Sequence, residues 1–164
     1  MLPDWQNVHR LLVTLGDIKD VMYIEPALET LRQTLPNAEI TLLATPACSQ
    51  VVGSWVDEIM VYEGITGNAQ REIDLIDKLG DRCFDAAIIF TNADESPYSL
   101  AYICYLAGIP IRLGQSEEFG GSVLSQCIKP QSDIHSTNQF LFLLQAAGFP
   151  LHHSSLKLQP VREL

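Results

Sequence analysis

The sequence predicts an α/β domain, an open parallel sheet with helices on both faces. Short apolar runs alternate with amphipathic helical stretches almost without a break. The run Ala86 to Phe90 is apolar throughout, as a strand buried on both faces of a parallel sheet must be. Proline, glycine and asparagine fall between these stretches, where a chain must turn. With 164 residues, 47% of them hydrophobic, the chain is long enough for one core of ordinary size and too short for two.

His9 to Leu15 reads as the first strand, followed by a turn at Gly16. Val21, Ile24, Leu28, Leu31 and Leu35 then recur at three- and four-residue steps, so they share one helix face, and Pro36-Asn37 stops that helix. Glu39 to Ala44 is the second strand, and Thr45-Pro46 opens a short helix reaching about Gly53. Glu58 to Tyr62 is the third strand; after the Gly64 to Gly67 loop comes a helix with Ile73, Ile76 and Leu79 on one face. Ala86 to Phe90 is the fourth strand. Ser96 as N-cap with Pro97 at the first helical position starts a helix that is apolar nearly all round and ends at Gly108. Ile109 to Leu113 is the fifth strand, its start pushed toward an edge or a bend by Pro110. Val123 to Ile128 is a short sixth strand, and Thr137 to Ala147 an amphipathic helix closed by Gly148 and Pro150. Residues 1–150 form the domain, and residues 151–164 read as a linker or tail leading toward a further domain.

Twenty acidic side chains against ten basic ones leave a net charge of −10. Such a domain repels a phosphate backbone and an anionic bilayer, which excludes nucleic acid and a lipid surface as expected partners. No apolar run approaches the ~20 residues of a membrane span. The start of the chain has neither the basic residues nor the apolar stretch of a leader, so a cytoplasmic location is expected. Cys48, Cys83, Cys104 and Cys127 form no C-x-x-C pair, and the histidines lack ligand spacing. Reduced structural thiols and no metal are expected. Nothing in the chain calls for a cofactor.

In open parallel sheets ligands bind beyond the carboxyl ends of the strands, which directs attention to residues 16–20, 45–48, 91–97 and 114–121. The first of these loops, Gly16-Asp17-Ile18-Lys19-Asp20, has a single glycine and matches neither a dinucleotide fingerprint nor a P-loop. It offers two carboxylates beside a helix N-terminus. Asp20 suits a helix cap, and it equally suits a general base that stays ionised and faces the crevice.

The stretch from Thr14 to Ala47 has a strand, the pair Gly16-Asp17, a helix bearing Pro26-Ala27-Leu28, and a strand entered through Pro36-x-Ala38-x-Ile40. Phe84-Asp85-Ala86-Ala87-Ile88, Leu106 to Gly114 and Leu143 to Gly148 follow in order. Over roughly residues 8–160 this ordered set resembles glycosyltransferase family 9, the heptosyltransferase-like enzymes. The resemblance implies a GT-B architecture of two Rossmann-like domains. The present chain would be the N-terminal one, which holds the acceptor and the catalytic aspartate; a C-terminal domain beyond this chain would bind the nucleotide-sugar donor.

Spacing to Pro26-Ala27-Leu28 places the family's aspartate on Asp20, with Asp17 three residues too early. The implied chemistry is inverting: Asp20 takes the proton of an acceptor hydroxyl as that oxygen attacks the anomeric carbon. The implied acceptor is a glycan or glycolipid of the lipopolysaccharide kind. Where the family usually has glycine before that aspartate, Lys19 stands here, suited to gripping an anionic acceptor group or to lowering the basicity of Asp20. Gly16, Asp17 and Lys19 join it as acceptor-side residues. Arg112, in a run resembling the family's Arg-Ile-Gly, suits an acceptor phosphate or carboxylate, and equally an ordinary ion pair. Thr91, Asn92 and Ser96 offer hydrogen bonds to a sugar, or serve as loop turns and a helix cap. His135 suits a cap or surface role, and Tyr98, Tyr102 and Tyr105 suit packing. A different class of function also fits: a non-catalytic Rossmann-like binding or interaction module. A phospho-accepting receiver domain does not, because the third strand runs out as Val61-Tyr62-Glu63 with no aspartate.

Overall fold

The structure, a computed structural model, describes residues 5–16, 21–49, 55–92, 94–131 and 136–151. Six strands form one sheet: β1 (Arg10–Leu15), β2 (Glu39–Ala44), β3 (Glu58–Val61), β4 (Ala86–Phe90), β5 (Ile111–Gln115) and β6 (Gln126–Ile128). Their order is β3-β2-β1-β4-β5-β6, and every pairing is parallel. The helices are α1 (Glu25–Thr34), α2 (Pro46–Ser49), α3 (Ala69–Asp81), α4 (Tyr98–Leu106) and α5 (Ser136–Ala146). The expected open parallel sheet with helices on both faces is what the chain forms.

β1 and β4 are central because they can be: Leu11, Leu12, Val13 and Leu15, and all of Ala86 to Phe90, are buried. Alternate residues feed two cores. Leu11, Val13, Leu15, Ile88 and Phe90 pack with α1 and α5, whereas Leu12, Ala87 and Ile89 pack with α3 and α4. The strand order reverses between β1 and β4, with Leu15 opposite Phe90 at the last pair. The residues that follow, Gly16 and Thr91, therefore face one another across the topological switch point.

Several expected elements move. Val21 and Ile24 precede α1 and Leu35 follows it, yet all three are buried with the helix stripe. On α3 the inner positions are Leu75 and Leu79, and Ile73 is 51% exposed. On α4 only one side is covered, since Tyr102, Tyr105 and Leu106 stand in solvent. The helix begins one residue later than expected, at Tyr98, whose N–H reaches the Ser96 hydroxyl at 3.3 Å. β5 begins two residues later than expected, because Pro110 has no N–H to give the ladder and pairing starts at Ile111 opposite Ala86. The strand is not at the edge; β6 lies outside it. No helix among the described residues is long and apolar enough to cross a membrane.

Candidate functional site

The two ends of the sheet carry different chemistry. At the amino ends of the strands, arginines and carboxylates are committed to one another. Arg82 forms a two-pronged pair with Glu58, its Nη2 at 2.6 Å from Oε1. Arg32 meets Asp57 at 2.7 Å, and the Asp57 carboxylate also accepts the Ile40 N–H at 2.7 Å. Asp85 accepts the N–H groups of His9 and Arg10 at 2.8 and 2.9 Å. Burial works to raise the pKa of Asp57, but the bonds from Arg32 and Ile40 and the Arg32 charge outweigh it and hold the carboxyl below its ordinary value. The Arg82 hydrogen bonds do the same for Glu58.

Arg112 belongs to this end. It is the second residue of β5, not one near its end, and only 8% exposed. Its Nε donates to the Val123 carbonyl at 2.6 Å, Nη1 to Ile109 at 2.5 Å and Pro110 at 3.2 Å, and Nη2 to Ser122 at 2.9 Å. The guanidinium also lies 5.1 Å over the Tyr105 ring. With four of five N–H donors spent on main-chain carbonyls, at the end of the sheet away from the crevice, Arg112 is a structural clasp between β5 and residues 122–123. Of the two roles expected for Arg112, its place near the start of β5 and these bonds favour the structural one over a grip on an acceptor anion.

At the carboxyl ends the picture reverses. Gly16 is exposed, and a Cβ there would stand 3.3 Å from Oε2 of Glu95. The same Glu95 oxygen accepts the Asn92 N–H at 3.4 Å. Gln115, the last residue of β5, sends its side chain to the end of β4, where Nε2 donates to the Thr91 carbonyl at 2.6 Å. That bond fixes the amide's orientation, so its Oε1 can only accept, and Oε1 has no partner although the residue is 2% exposed. The Thr91 hydroxyl (3% exposed) and the Thr14 hydroxyl are likewise buried without partners. A buried unsatisfied polar group costs about 1–3 kcal/mol, and three of the four found among the described residues stand on or beside β1, β4 and β5 within two residues of their carboxyl ends.

The structure thus brings Gly16, Thr91 and Asn92 together at the switch point. Ser96 sits further along the same loop, exposed, at the start of α4. Asp17, Lys19, Asp20 and His135 lie outside the described residues. Sequence reasoning missed two members of the site. Glu95 lay inside a loop already marked by the carboxyl-end rule, but no spacing distinguished it from Asp94. Gln115 was hidden by the two-residue shift of β5, which turns a supposed loop residue into the strand's last one.

Beyond β5 the chain is held close. The Tyr98 hydroxyl accepts the Gly120 N–H at 2.8 Å and donates to the Glu118 carbonyl, and a Cβ on Gly120 would collide with the Tyr98 ring at 2.1 Å. A groove of about 340 Å³ lies apart from this crevice, between β3 and α3, with Met60, Leu75, Arg71 and Lys78 in its lining. Tyr62 also borders it, and burial pushes the Tyr62 hydroxyl up to about 12. Among the described residues no cluster of histidine, cysteine and carboxylate side chains could hold a metal ion.

Compared with known proteins, the chain matches no family model and no curated sequence. Solved structures do match. A family 9 glycosyl transferase from Veillonella parvula superposes with a TM-score of 0.71 at 19% identity, over 90% of this chain and 43% of that one. The Escherichia coli ADP-heptose lipopolysaccharide heptosyltransferase II gives 0.65 at 20% identity, over 92% and 44%. An E. coli heptosyltransferase with ADP gives 0.63 at 12% identity, over 87% and 48%. The fold is that of a family 9 glycosyltransferase. The resemblance seen in the sequence is thereby borne out at the level of the fold. The chain spans a little under half the length of each of these three glycosyltransferases.

Proposed function

We propose that this chain is the acceptor-side half of an inverting glycosyltransferase, with a nucleotide-sugar donor held by a second domain outside it. The observation that carries the reading is the switch-point crevice on a glycosyltransferase fold, with Asp20 at the sequence spacing from Pro26-Ala27-Leu28 that the family resemblance requires. Residues 1–150 would form that half, and residues 151–164 would lead toward the donor domain. The reaction is one displacement. An acceptor hydroxyl oxygen bonds to the anomeric carbon as the bond to the nucleoside diphosphate breaks, and the hydroxyl proton passes to the Asp20 carboxylate. Holding both substrates across a domain cleft supplies much of the rate.

The matched heptosyltransferases, one of them solved with ADP, support an ADP-heptose-like donor and an acceptor of the lipopolysaccharide or cell-envelope glycan kind, used on the cytoplasmic side. The likeness to several glycosyltransferases favours this reading over a non-catalytic binding module. Gly16, Thr91 and Asn92 would line the acceptor side, with Asp17, Lys19 and Ser96 nearby; Arg112 would not contribute.

The test is sugar transfer by the product of the complete reading frame, with ADP-heptose as the first donor, comparing the wild type with Asp20→Asn. Loss of the general base should lower kcat by about 10²- to 10⁴-fold without changing the circular dichroism. Undiminished transfer by Asp20→Asn refutes the base assignment, and no transfer from any nucleoside diphosphate sugar refutes the reaction.

A further inference from the structure

The groove between β3 and α3 lies at the edge of the sheet, separated from the β1/β4 switch point by β2. β3 has a neighbour on one side only, and the chain from Met60 to Ile65 forms one wall of the groove while α3 forms the other. Half-buried Met60 and buried Leu75 meet in one apolar cluster and give the groove its base. Val61 and Ile65, 55% and 40% exposed, add apolar surface that is otherwise left to water. A volume of about 340 Å³ falls within the range of small-molecule pockets.

The α3 wall carries Arg71 and Lys78, two turns apart on one face with Leu75 between them, about 10 Å along the helix axis. Cations are scarce in this chain and mostly spent: Arg10, Arg32 and Arg82 meet carboxylates, and Arg112 meets main-chain carbonyls. Among the described lysines and arginines, only Arg71, Lys78 and Lys129 make no side-chain hydrogen bond or ion pair, and two of those three stand on this groove. Glu63, Glu72 and Asp74 share the lining, Asp74 accepting from the Gln70 amide at 3.0 Å. Three carboxylates against two cations repel a multiply charged anion, a nucleotide for example, whereas a single anionic head beside a free cation gains an opposite charge.

We propose that this groove binds a small amphipathic anion with one acidic head, of the alkyl carboxylate kind. The head pairs with the cationic wall of Arg71 and Lys78, and the alkyl body covers Met60, Val61, Ile65 and Leu75. The site stands apart from the acceptor crevice and takes a ligand of different chemistry, so it does not depend on the glycosyltransferase reading.

The test is amide NMR on the ¹⁵N-labelled 164-residue chain at neutral pH and constant ionic strength. Octanoate is the probe, with 1-octanol as its neutral counterpart and octylamine as its cationic one. Octanoate should shift the Tyr62, Ile65 and Leu75 main-chain amides saturably and bind more tightly than either counterpart. Hexanoate should bind about fivefold more weakly, the effect of two methylenes in a groove open on one side. The double variant Arg71→Gln/Lys78→Gln, two changes at exposed positions that leave the core alone, should weaken octanoate about tenfold and leave 1-octanol unchanged. Octanoate that leaves these amides in place overturns the proposal, as does octylamine binding as tightly as octanoate. So does a double variant that loses octanoate and octanol equally, or that keeps both.

Discussion

Replacing Arg112 by methionine should destabilise the fold and leave anion binding unchanged. The guanidinium donates to four carbonyls, of which those of Pro110 and Ser122 belong to exposed residues where water can substitute. The carbonyl of Ile109, a residue 1% exposed, and that of half-buried Val123 have no such replacement. A hydrogen bond from a charged group is worth about 1.5–3 kcal/mol net. Taking the lower value for the two sheltered bonds, because methionine still packs on the Tyr105 ring, gives a loss of about 3 kcal/mol. For a domain of this size that is a fall in Tm of about 6–12 °C. The assay is thermal and urea unfolding followed by circular dichroism, with an unchanged urea slope showing that both end states keep their compactness. Arg112→Lys should recover little, since a single ammonium cannot span carbonyls on two segments. A methionine variant that melts within about 2 °C of the wild type would refute the clasp.

Gly120→Ala should cost about 1–3 kcal/mol, as overpacking does, because its Cβ would fall 2.1 Å from the Tyr98 ring; Tyr98→Ala in the same chain should remove most of the added cost, and full additivity in urea unfolding would count against the contact. Titration with a thiol reagent should find Cys83 and Cys127 reactive in the folded protein and Cys48 and Cys104 silent until denaturant is added. Burial pushes the Cys104 thiol up to about 12, so four fast thiols would contradict the packing. Asp57 and Glu58, held below their ordinary values of 3.8 and 4.5, contribute stability that is complete above those values and disappears as pH falls through the lower folded ones. The urea midpoint should therefore be flat from neutrality to about pH 5 and fall below it, less steeply in Asp57→Asn/Glu58→Gln; an equal slope in that variant would sink the assignment.

What could be read from the residues followed the strength of the physical constraint. β1, β2 and β4 were legible to within a residue because strands buried on both faces are dominated by apolar side chains. β5 slipped by two because Ile109 and Leu113 are both buried and only the missing N–H of Pro110 separates approach from strand. That small slip had a large consequence, since it moved Arg112 from one end of the sheet to the other. Ile73 was misplaced on α3 because Ile73 and Ile76 suggest one stripe and Leu75 and Leu79 another; tertiary contact, not periodicity, chose the second. The carboxyl-end rule found the right loops, but Glu95 and Gln115 matter through a 3.3 Å approach to Gly16 and a 2.6 Å bond to Thr91, which no linear spacing encodes.

The two ends of the sheet explain how a chain of net charge −10 can still be well knit. Of its seven described basic side chains, Arg10, Arg32, Arg82 and Arg112 are all committed at the amino ends, to Glu39, Asp57 and Glu58 or to main-chain carbonyls. There they satisfy the strand entrances, whose buried N–H and C=O groups need partners before the ladder begins. The carboxyl ends of the central strands are then left without a described cation, and their buried acceptors go unanswered. At that end Gly114 gives its space to Leu124, 3.1 Å from where its Cβ would be, and Gly120 gives its space to Tyr98. Both glycines let the chain beyond β5 fold back against the start of α4, and Phe119 between them is 90% exposed. The arginine–carboxylate pairs are thus concentrated at the amino ends of the strands, and three of the four buried unpartnered side-chain atoms among the described residues, those of Thr14, Thr91 and Gln115 but not Thr34, at the carboxyl ends.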